Sequence, residues 1–524
     1  MSRFFLAFLL FLALFAGWAM WYITPAGLGL TNDSAAYLGG ARSILAGTGY
    51  SDIWLDSALE PITHYPPLFS LTLSSISLLT GLDPYRAARA LHIILFAANT
   101  VLLGWLGWRI THSQMAALLL ALLFALNGQL LTLHAYAMSE PLFLFFSLLS
   151  FLSFDLAPPK TRKTAIAALF TKNRLLLTGF FSGLAFLTRY SGLALIATLV
   201  VSIFLLAPDA RLKRIITFMA GAIPPIAAWF VRNALVAESA TNRTFHFNPI
   251  ELSNIRTGLW NAAHFLAPLP GLPEWLFQSG LLQIGLTIAG VGLLGWLGYQ
   301  AYQAYHLRQS VNPLLFITAL YVWGYLGAVL FSMSFFDAST KFQPRILSPL
   351  YVSWLILLTA SLHFLWKWKP PVSPVLTTLA VVALLLLSGL NAQNTITELR
   401  TIDGLGYASW RWRQAEVLAY IRRLPPEIAI YTNSPPVVYH VTGRASRVIP
   451  TFLNPVSGLP RPDYEQALAE MRQELFAGRA VLVLFEVSNL EEAFGHEVAL
   501  QFDGLPVLLK AQGHVLYGKL EKPQ

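Results

Sequence analysis

Residues 175–207 read LLLTGFFSGLAFLTRYSGLALIATLVVSIFLLA, and the fold turns on whether this stretch is one long helix or two. It is apolar almost throughout, and a helix that spans a bilayer needs about 20 such residues. A single kinked helix would cross once. Two helices meeting at Thr188-Arg189-Tyr190-Ser191-Gly192 would cross twice and would reverse the sidedness of everything downstream. The distribution of basic residues decides between them. With a break at 188–192 and the N-terminus inside, Arg109 falls on the inner side. So do Lys160, Arg162, Lys163, Lys172 and Arg174, then Arg211, Lys213 and Arg214, then Arg308, then Lys367 and Lys369. Asp33, Asp52, Asp56, Glu60, Glu140, Glu251 and Asp337 fall on the opposite side. That asymmetry is the one the positive-inside bias produces. The stretch therefore predicts two spans, near 175–188 and 190–207.

Working outward from this pair, comparable apolar runs occur near 4–23, 86–109, 114–133, 140–157, 214–232, 276–300, 312–333, 346–366 and 373–390. The total is about eleven spans. Composition agrees: 56% of the 524 residues are hydrophobic and only 12% are charged, where a soluble domain carries about a quarter charged. Lipid must be part of the solvent. The net charge of +9 is explained by basic loops between spans and does not call for nucleic acid. The chain has no Cys, which excludes disulfides, thiolate metal sites and Cys nucleophiles. The run at 4–22, behind Arg3, starts as a signal peptide would. It is long enough to span and lacks a small-x-small cleavage site, so it predicts an uncleaved first helix. Residues 66–80 are apolar but too short to cross, and open with Pro66-Pro67; they predict a helix lying in the outer interface.

The expected architecture is a polytopic α-helical membrane domain over 1–390, with interfacial outer-loop helices at about 24–80, followed by a small extracytoplasmic α/β domain over 391–524. In that tail, 406–424 has helical periodicity and a basic face, 427–432 and 480–485 read as short buried strands, 463–478 as a helix stopped by Gly478, and 505–509 and 514–520 as final strands. The N-terminus is expected in the cytoplasm and the tail outside the plasma membrane.

Three outer segments carry the polar residues of interest. The first loop holds Thr31-Asn32-Asp33-Ser34-Ala35-Ala36-Tyr37 and, further on, His64-Tyr65-Pro66-Pro67-Leu68. Asp33 follows a span closely and precedes an Ala-rich helical stretch, so the bland reading is a helix N-cap; a cap and a general base are not exclusive. The second loop holds Ser139-Glu140-Pro141-Leu142. Glu140 reads blandly as a helix-start acid favoured by the dipole, but a carboxylate at that depth must be paired or face a polar cavity. The last hairpin runs from Asp337 through Lys341 to Arg345 and Tyr351. Arg345 opens a span from its outer end, where neither the loop-charge bias nor the helix dipole favours a cation. An anionic partner would explain it, and so would snorkelling to lipid headgroups.

With these residues in order, the chain resembles the GT-C superfamily of polytopic glycosyltransferases, in particular the protein mannosyltransferase and aminoarabinose transferase-like branch. Asp33 with Tyr37, Tyr65-Pro66-Pro67-Leu68, Ser139-Glu140-Pro141-Leu142, Leu187-Thr188-Arg189-Tyr190-Ser191-Gly192 and the segment 345–351 carry the resemblance, which covers roughly residues 1–370. No one motif is specific; the resemblance rests on their occurring together, in the right order and on the same predicted side. Two positions depart from it: Ser34 stands where many relatives have a second acid, and Ile346 follows Arg345 where an Arg-Tyr pair is frequent.

The resemblance implies transfer of a sugar from a polyprenyl-phosphate donor to an acceptor hydroxyl or amine at the outer face of the membrane. Asp33 would be the general base and Glu140 would orient the acceptor, pair with a cation or help hold a divalent metal. Tyr37, His64, Tyr65, Arg189, Lys341 and Arg345 would bind substrate, the cations at the donor phosphate. Asp33, His64, Glu140, Lys341 and Arg345 are expected to converge at the interface. The outer loops have no Asp-x-Asp cluster that would call for a metal. The aromatic-cation run Trp410-Arg411-Trp412-Arg413 resembles a base-stacking pattern, but outside a membrane it suits a surface resting on lipid or on the outer loops. A transporter or lipid flippase is the alternative, disfavoured by the lack of internal repeats and of mid-span charges. A non-catalytic anchor would leave the outer-loop motifs unexplained.

Overall fold

The computed structural model describes residues 2–56, 59–154, 173–237, 245–266, 271–337, 339–368, 372–453, 459–494 and 504–519. The basic cluster Lys160, Arg162, Lys163 and Lys172, and Lys369 of the last inner loop, lie outside these residues. The chain divides into two compact units. The first comprises Met1–Ile23, Pro66–Phe69 and Ala90–Arg400, and the second Thr24–Tyr65, Ser70–Arg89 and Thr401–Gln524.

The first unit is helical. Among the described residues, seven helices are long and apolar enough to cross a membrane: α1 (Arg3–Ile23), α4 (Pro84–Thr111), α10 (Arg211–Val236), α13 (Leu281–Tyr305), α14 (Pro313–Phe335), α15 (Pro344–Trp366) and α16 (Val372–Thr401). The expected span at 114–133 is a pair, α5 (Gln114–Ala125) and α6 (Gly128–His134), bent by 62°. Asn127 makes the break, its side chain capping α6 by accepting from Leu130 N. The expected spans at 140–157, 175–188 and 190–207 are shorter helices of 14, 15 and 15 residues: α7 (Glu140–Ser153), α8 (Arg174–Thr188) and α9 (Gly192–Leu206). The stretch 175–207 is thus two helices. Arg189 is extended there (φ −151°, ψ 136°) and ends α8.

Small residues let α8 and α10 approach. A Cβ on Gly179 would stand 1.9 Å from Phe218 O, and one on Gly221 would stand 2.1 Å from Leu176 O. Two glycines facing each other's backbones at such range are the usual means of close helix contact in lipid, where apolar burial supplies little drive. Two shorter helices of this unit, α11 (Leu252–Leu266) and α12 (Leu272–Gln278), were not legible as spans.

The second unit joins the first loop to the C-terminal residues by contact, although composition alone suggests a boundary near 390. Its loop part carries α2 (Asn32–Leu45) and leads to α3 (Leu68–Thr80). Its C-terminal part is a five-stranded sheet in the order β2-β1-β3-β5-β4, with β1 (Ala429–Thr432), β2 (Arg447–Val448), β3 (Ala480–Leu484), β4 (Val507–Ala511) and β5 (His514–Tyr517). β2, β1 and β3 are parallel; β5 runs antiparallel to both of its neighbours, β3 and β4. Alternation along β3 sends Val481 and Val483 to one core and Ala480, Leu482 and Leu484 to the other, which is why this strand is buried throughout and reads as a continuous apolar run.

One face of the sheet is covered by α18 (Glu416–Arg423) and α19 (Pro435–Thr442), the opposite one by α20 (Tyr464–Phe476). The single helix expected over 406–424 is two pieces, α17 (Trp410–Arg413) and α18, because the chain leaves helical geometry at Gln414 and Ala415. The Trp-Arg run is therefore split, with Trp410 and Arg411 exposed and Trp412 turned inward. Trp412 is a core residue stacked on His514 at 5.2 Å, and Arg413 pairs with Asp403 at 2.6 Å.

The loop is stitched to this domain. Arg42 binds Asp83 through Nε at 3.0 Å and donates to the Tyr439 hydroxyl at 3.1 Å, and Arg447 Nε donates to Asp56 at 2.8 Å. Asp52 is 5% exposed. Burial, with Glu60 nearby, pushes its carboxyl up to about 6, although Trp54 Nε1 donates to it at 2.9 Å. The folded chain thus holds this proton more tightly than the unfolded one, so the stability it contributes is full below about pH 4 and is lost as the pH rises through about 6. Asp52→Asn keeps an acceptor for Trp54 and removes the buried charge. It is expected to raise the unfolding temperature at pH 7.5 and to leave it unchanged at pH 4, as read by differential scanning fluorimetry.

Candidate active site

Asp33 lies in the first turn of α2, but it is not the cap. Thr31 takes that position (φ −131°, ψ −177°), and Ser34 closes a capping box, its Oγ accepting from Thr31 N at 3.0 Å. The departure at position 34 has a local reason: a short hydroxyl satisfies a backbone donor that a helix start leaves orphaned. The half-buried Asp33 carboxylate accepts instead from the Tyr65 hydroxyl at 2.9 Å. Tyr37 is buried and meets the Tyr65 ring edge-on at 5.3 Å; the His64 ring lies 4.5 Å from the same ring. Ser70 Oγ donates to Tyr37 O at 2.9 Å, and the Tyr50 hydroxyl to Tyr65 O at 3.4 Å. Asp33, Tyr37, His64 and Tyr65 are thus one cluster within the second unit, and the Tyr-Pro-Pro-Leu segment is what presents Tyr65 to the carboxylate.

Glu140 and Arg189 form a second cluster, within the first unit. Glu140 opens α7 with Pro141 behind it, and its side chain is 2% exposed. Arg189 Nη1 stands 2.7 Å from Glu140 Oε1 and donates to Ser139 Oγ at 3.2 Å. Glu140 Oε2 is buried and accepts no hydrogen bond among the described residues. The loop behind Glu140 is fixed by buried polar groups. His134 bonds Leu130 O through Nδ1 at 2.7 Å, and Asn99 Nδ2 reaches Pro141 O at 3.1 Å and the His134 ring at 3.3 Å. The Arg189 backbone is extended because α8 stops there, and that break aims the guanidinium at the mouth of α7.

Tyr325 of α14 connects this pair to the start of α15. Its hydroxyl donates to Ile346 O at 2.9 Å, and it lies within charge range of both Arg189 and Glu140. Arg345 is the second residue of α15; it is half-buried and its Nε donates to Gln343 at 3.2 Å. Lys341 is exposed in the preceding hairpin. That hairpin is pinned by α11. Asn254 Nδ2 donates to Thr340 O at 3.0 Å while its Oδ1 accepts from Phe342 N at 2.8 Å, and Asn261 Nδ2 donates to Phe342 O at 2.7 Å. Sequence reasoning passed over both asparagines, though their seven-residue spacing, two turns of helix, was a signal that they share a face. Among the described residues no group of three or more His, Asp or Glu side chains is disposed to hold a metal ion.

Residues 55–232 match the family model of dolichyl-phosphate-mannose-protein mannosyltransferases. That span includes His64, Tyr65, Glu140 and Arg189. No curated protein matches the chain in sequence. In fold, the chain is similar to ArnT from Cupriavidus metallidurans bound to undecaprenyl phosphate, at 13% identity and a TM-score of 0.56, over 100% of both chains. It is also similar to the oligosaccharyltransferase AglB from Archaeoglobus fulgidus, in complex with an inhibitory peptide and a dolichol-phosphate. There the identity is 13% and the TM-score 0.57, over 94% of this chain and 71% of that one. Neither the family match nor these structures support the transporter or flippase alternative. In fold, then, the chain is similar to these membrane glycosyltransferases, and over residues 55–232 it matches the mannosyltransferase family model.

Proposed function

We propose that the protein transfers a sugar from a polyprenyl-phosphate donor to an acceptor hydroxyl or amine at the outer face of the plasma membrane, with inversion at the anomeric carbon. The acceptor oxygen or nitrogen attacks the anomeric carbon as the bond from that carbon to the phosphate oxygen breaks. Asp33 takes the acceptor's proton, and polyprenyl phosphate leaves with the bonding pair. The observation that carries this reading is the state of Asp33. Its capping duty is taken by Thr31 and Ser34, and its carboxylate is instead held by a tyrosine hydroxyl in an aromatic surround. A base whose direction is fixed by its neighbours is what proton abstraction needs.

Negative charge grows on the departing phosphate, and cations aimed there would stabilise it. Arg345 at the start of α15 is the first choice, with Lys341 beside it in sequence. Arg189 is engaged by Glu140 and Ser139, so its part is to hold that carboxylate in place. Glu140 Oε2, buried and without a hydrogen bond among the described residues, is suited to take a hydroxyl of the sugar or acceptor. Undecaprenyl phosphate in ArnT and dolichol-phosphate in AglB support a lipid phosphate as the donor class; the sugar and the acceptor are open.

The test is a donor panel. The purified full chain, supplemented with lipid, is incubated with radiolabelled polyprenyl-phosphate sugars and, separately, with nucleotide sugars. Release or transfer of label from one lipid-linked donor is expected. Consumption of a nucleotide sugar with every lipid-linked donor left intact would overturn the proposal.

A further inference from the structure

The segment that leads into α2 is held from the C-terminal domain at four points. Leu30 N donates to Leu405 O at 3.2 Å, and Tyr407 N donates to Leu30 O at 2.9 Å. The Tyr407 hydroxyl is within hydrogen-bond distance of Asn32 Oδ1, donating at 2.7 Å. His440 Nε2 donates to Thr31 O at 3.3 Å. Leu30, Thr31 and Asn32 are the three residues before Asp33, so all four bonds act on the backbone and side chains that set where α2 begins. The capping box fixes the helix internally; these bonds fix it to an external frame.

That frame is rigid for reasons visible in the sheet. His440 sits on α19, which follows directly from β1 and buries Val437 and Val438 in the same core as Ile430, Val481 and Val483. Tyr407 packs edge-on against the core residue Trp412 at 5.6 Å, with Ser434, in the loop between β1 and α19, close to its hydroxyl. Asn433 of that loop is tied to β3's end, its Oδ1 accepting from Phe485 N at 2.9 Å and its Nδ2 donating to Phe485 O at 3.1 Å. The carboxyl ends of β1 and β3, where a parallel sheet reverses its winding and where such sheets usually receive ligands, are here spent on holding Tyr407 and, through it, the start of α2. His440 is half-buried, and desolvation, with Arg42 nearby, holds its ring down to about 4, so it carries no charge at neutral pH. The clamp therefore does not change with pH across the physiological range.

We infer that Tyr407 and His440 are positioning residues for Asp33, and that the C-terminal domain serves the reaction as the jig that sets the direction of the base. The inference rests on the reading of Asp33 as that base. A misplacement of a reacting group by about 1 Å can cost on the order of 100-fold in rate, so loss of the clamp should appear in kcat and leave donor binding nearly alone.

The experiment compares the full-length wild type with Tyr407→Phe, His440→Leu, their combination and His440→Gln, which keeps a nitrogen donor near the position of Nε2. Amide hydrogen exchange without substrate is read over residues 30–40 and, as a control for folding, over β3. Donor turnover is read in parallel. The combined variant is expected to exchange several-fold faster over 30–40 with β3 still protected. Its kcat should fall by roughly 10-fold to 100-fold with donor KM changed less than about twofold, and His440→Gln should lie near wild type. Unchanged exchange over 30–40 would overturn the clamp. Faster exchange with an unchanged kcat would overturn its role in the reaction. If Asp33→Asn is fully active, it is the reading of Asp33 that fails, and the exchange data still decide whether the clamp exists.

Discussion

Asp33→Asn is expected to lower glycosyl transfer by roughly 100-fold to 10,000-fold at saturating donor, the range over which a positioned acid or base contributes. The substitution keeps size, keeps an acceptor for the Tyr65 hydroxyl at 2.9 Å, and leaves the Thr31–Ser34 cap untouched. The helix start should therefore stay folded, and what is removed is the capacity to take a proton. The expected signature is loss of kcat with donor KM within a few-fold, with an unfolding temperature near that of the wild type. Asp33→Glu is a useful companion. It restores the base but moves it by one methylene away from the place that Tyr65 and Tyr37 fix, and should recover only part of the rate. The measurement is single-turnover transfer with a radiolabelled donor. Equal rates for wild type and Asp33→Asn would remove Asp33 from the chemistry while leaving the GT-C fold and the family match where they stand.

Much of this site is legible in sequence because its residues sit at helix starts. Asp33, Glu140 and Arg345 were singled out for standing at the mouths of helices, and each lies in the first turn of one. Local spacing cannot say who partners whom. Glu140 could have faced an acceptor, a cation or a metal, and only the termination of α8 at an extended Arg189 supplies the cation. Likewise, that Ser34 completes a cap follows from backbone angles at Thr31 which propensities leave open.

The helices are read well where apolar length alone decides, as in α1, α4, α14 and α15. They are read less well where a polar residue interrupts an apolar run, as Asn127 does between α5 and α6. The C-terminal strands β1 and β3 declare themselves as short continuous apolar runs. α19 does not, because Ser434-Pro435-Pro436 reads as a loop when it is in fact a helix start with proline in its first turn. Missing α19 hid the attachment of the first loop to the C-terminal domain, since His440 and Tyr439 both sit on it. The bonds from Tyr407 to Asn32 and from His440 to Thr31 join residues 375 and 409 positions apart. No periodicity or motif in one sequence reports a contact at that range.

The largest expected effect on stability lies at the Glu140–Arg189 pair. Both side chains are withdrawn from solvent, to 2% and 16% exposure, and Glu140 has Arg189 at 2.7 Å while its second oxygen accepts no hydrogen bond among the described residues. Removing one member of a buried pair leaves the other charge desolvated and uncompensated, which costs about 3–5 kcal/mol. Arg189→Met is therefore expected to destabilise the protein severely, and Glu140→Gln less so, because Arg189 keeps Ser139 Oγ at 3.2 Å and some access to water. The double variant should recover most of the loss, since two uncharged side chains of similar size need no compensation; in a double-mutant cycle this is a coupling well above about 1 kcal/mol. Thermal unfolding of the four proteins in detergent reads it, and additive losses would mean that the two side chains do not form a buried pair in solution. The same four proteins separate structure from chemistry. If the double variant regains both stability and transfer, the pair is a structural brace for the mouth of α7. If it regains stability and remains inactive, the charges themselves act on the substrates, which is the outcome expected when the Arg189 charge faces a lipid phosphate and Glu140 offers Oε2 to a sugar or acceptor hydroxyl.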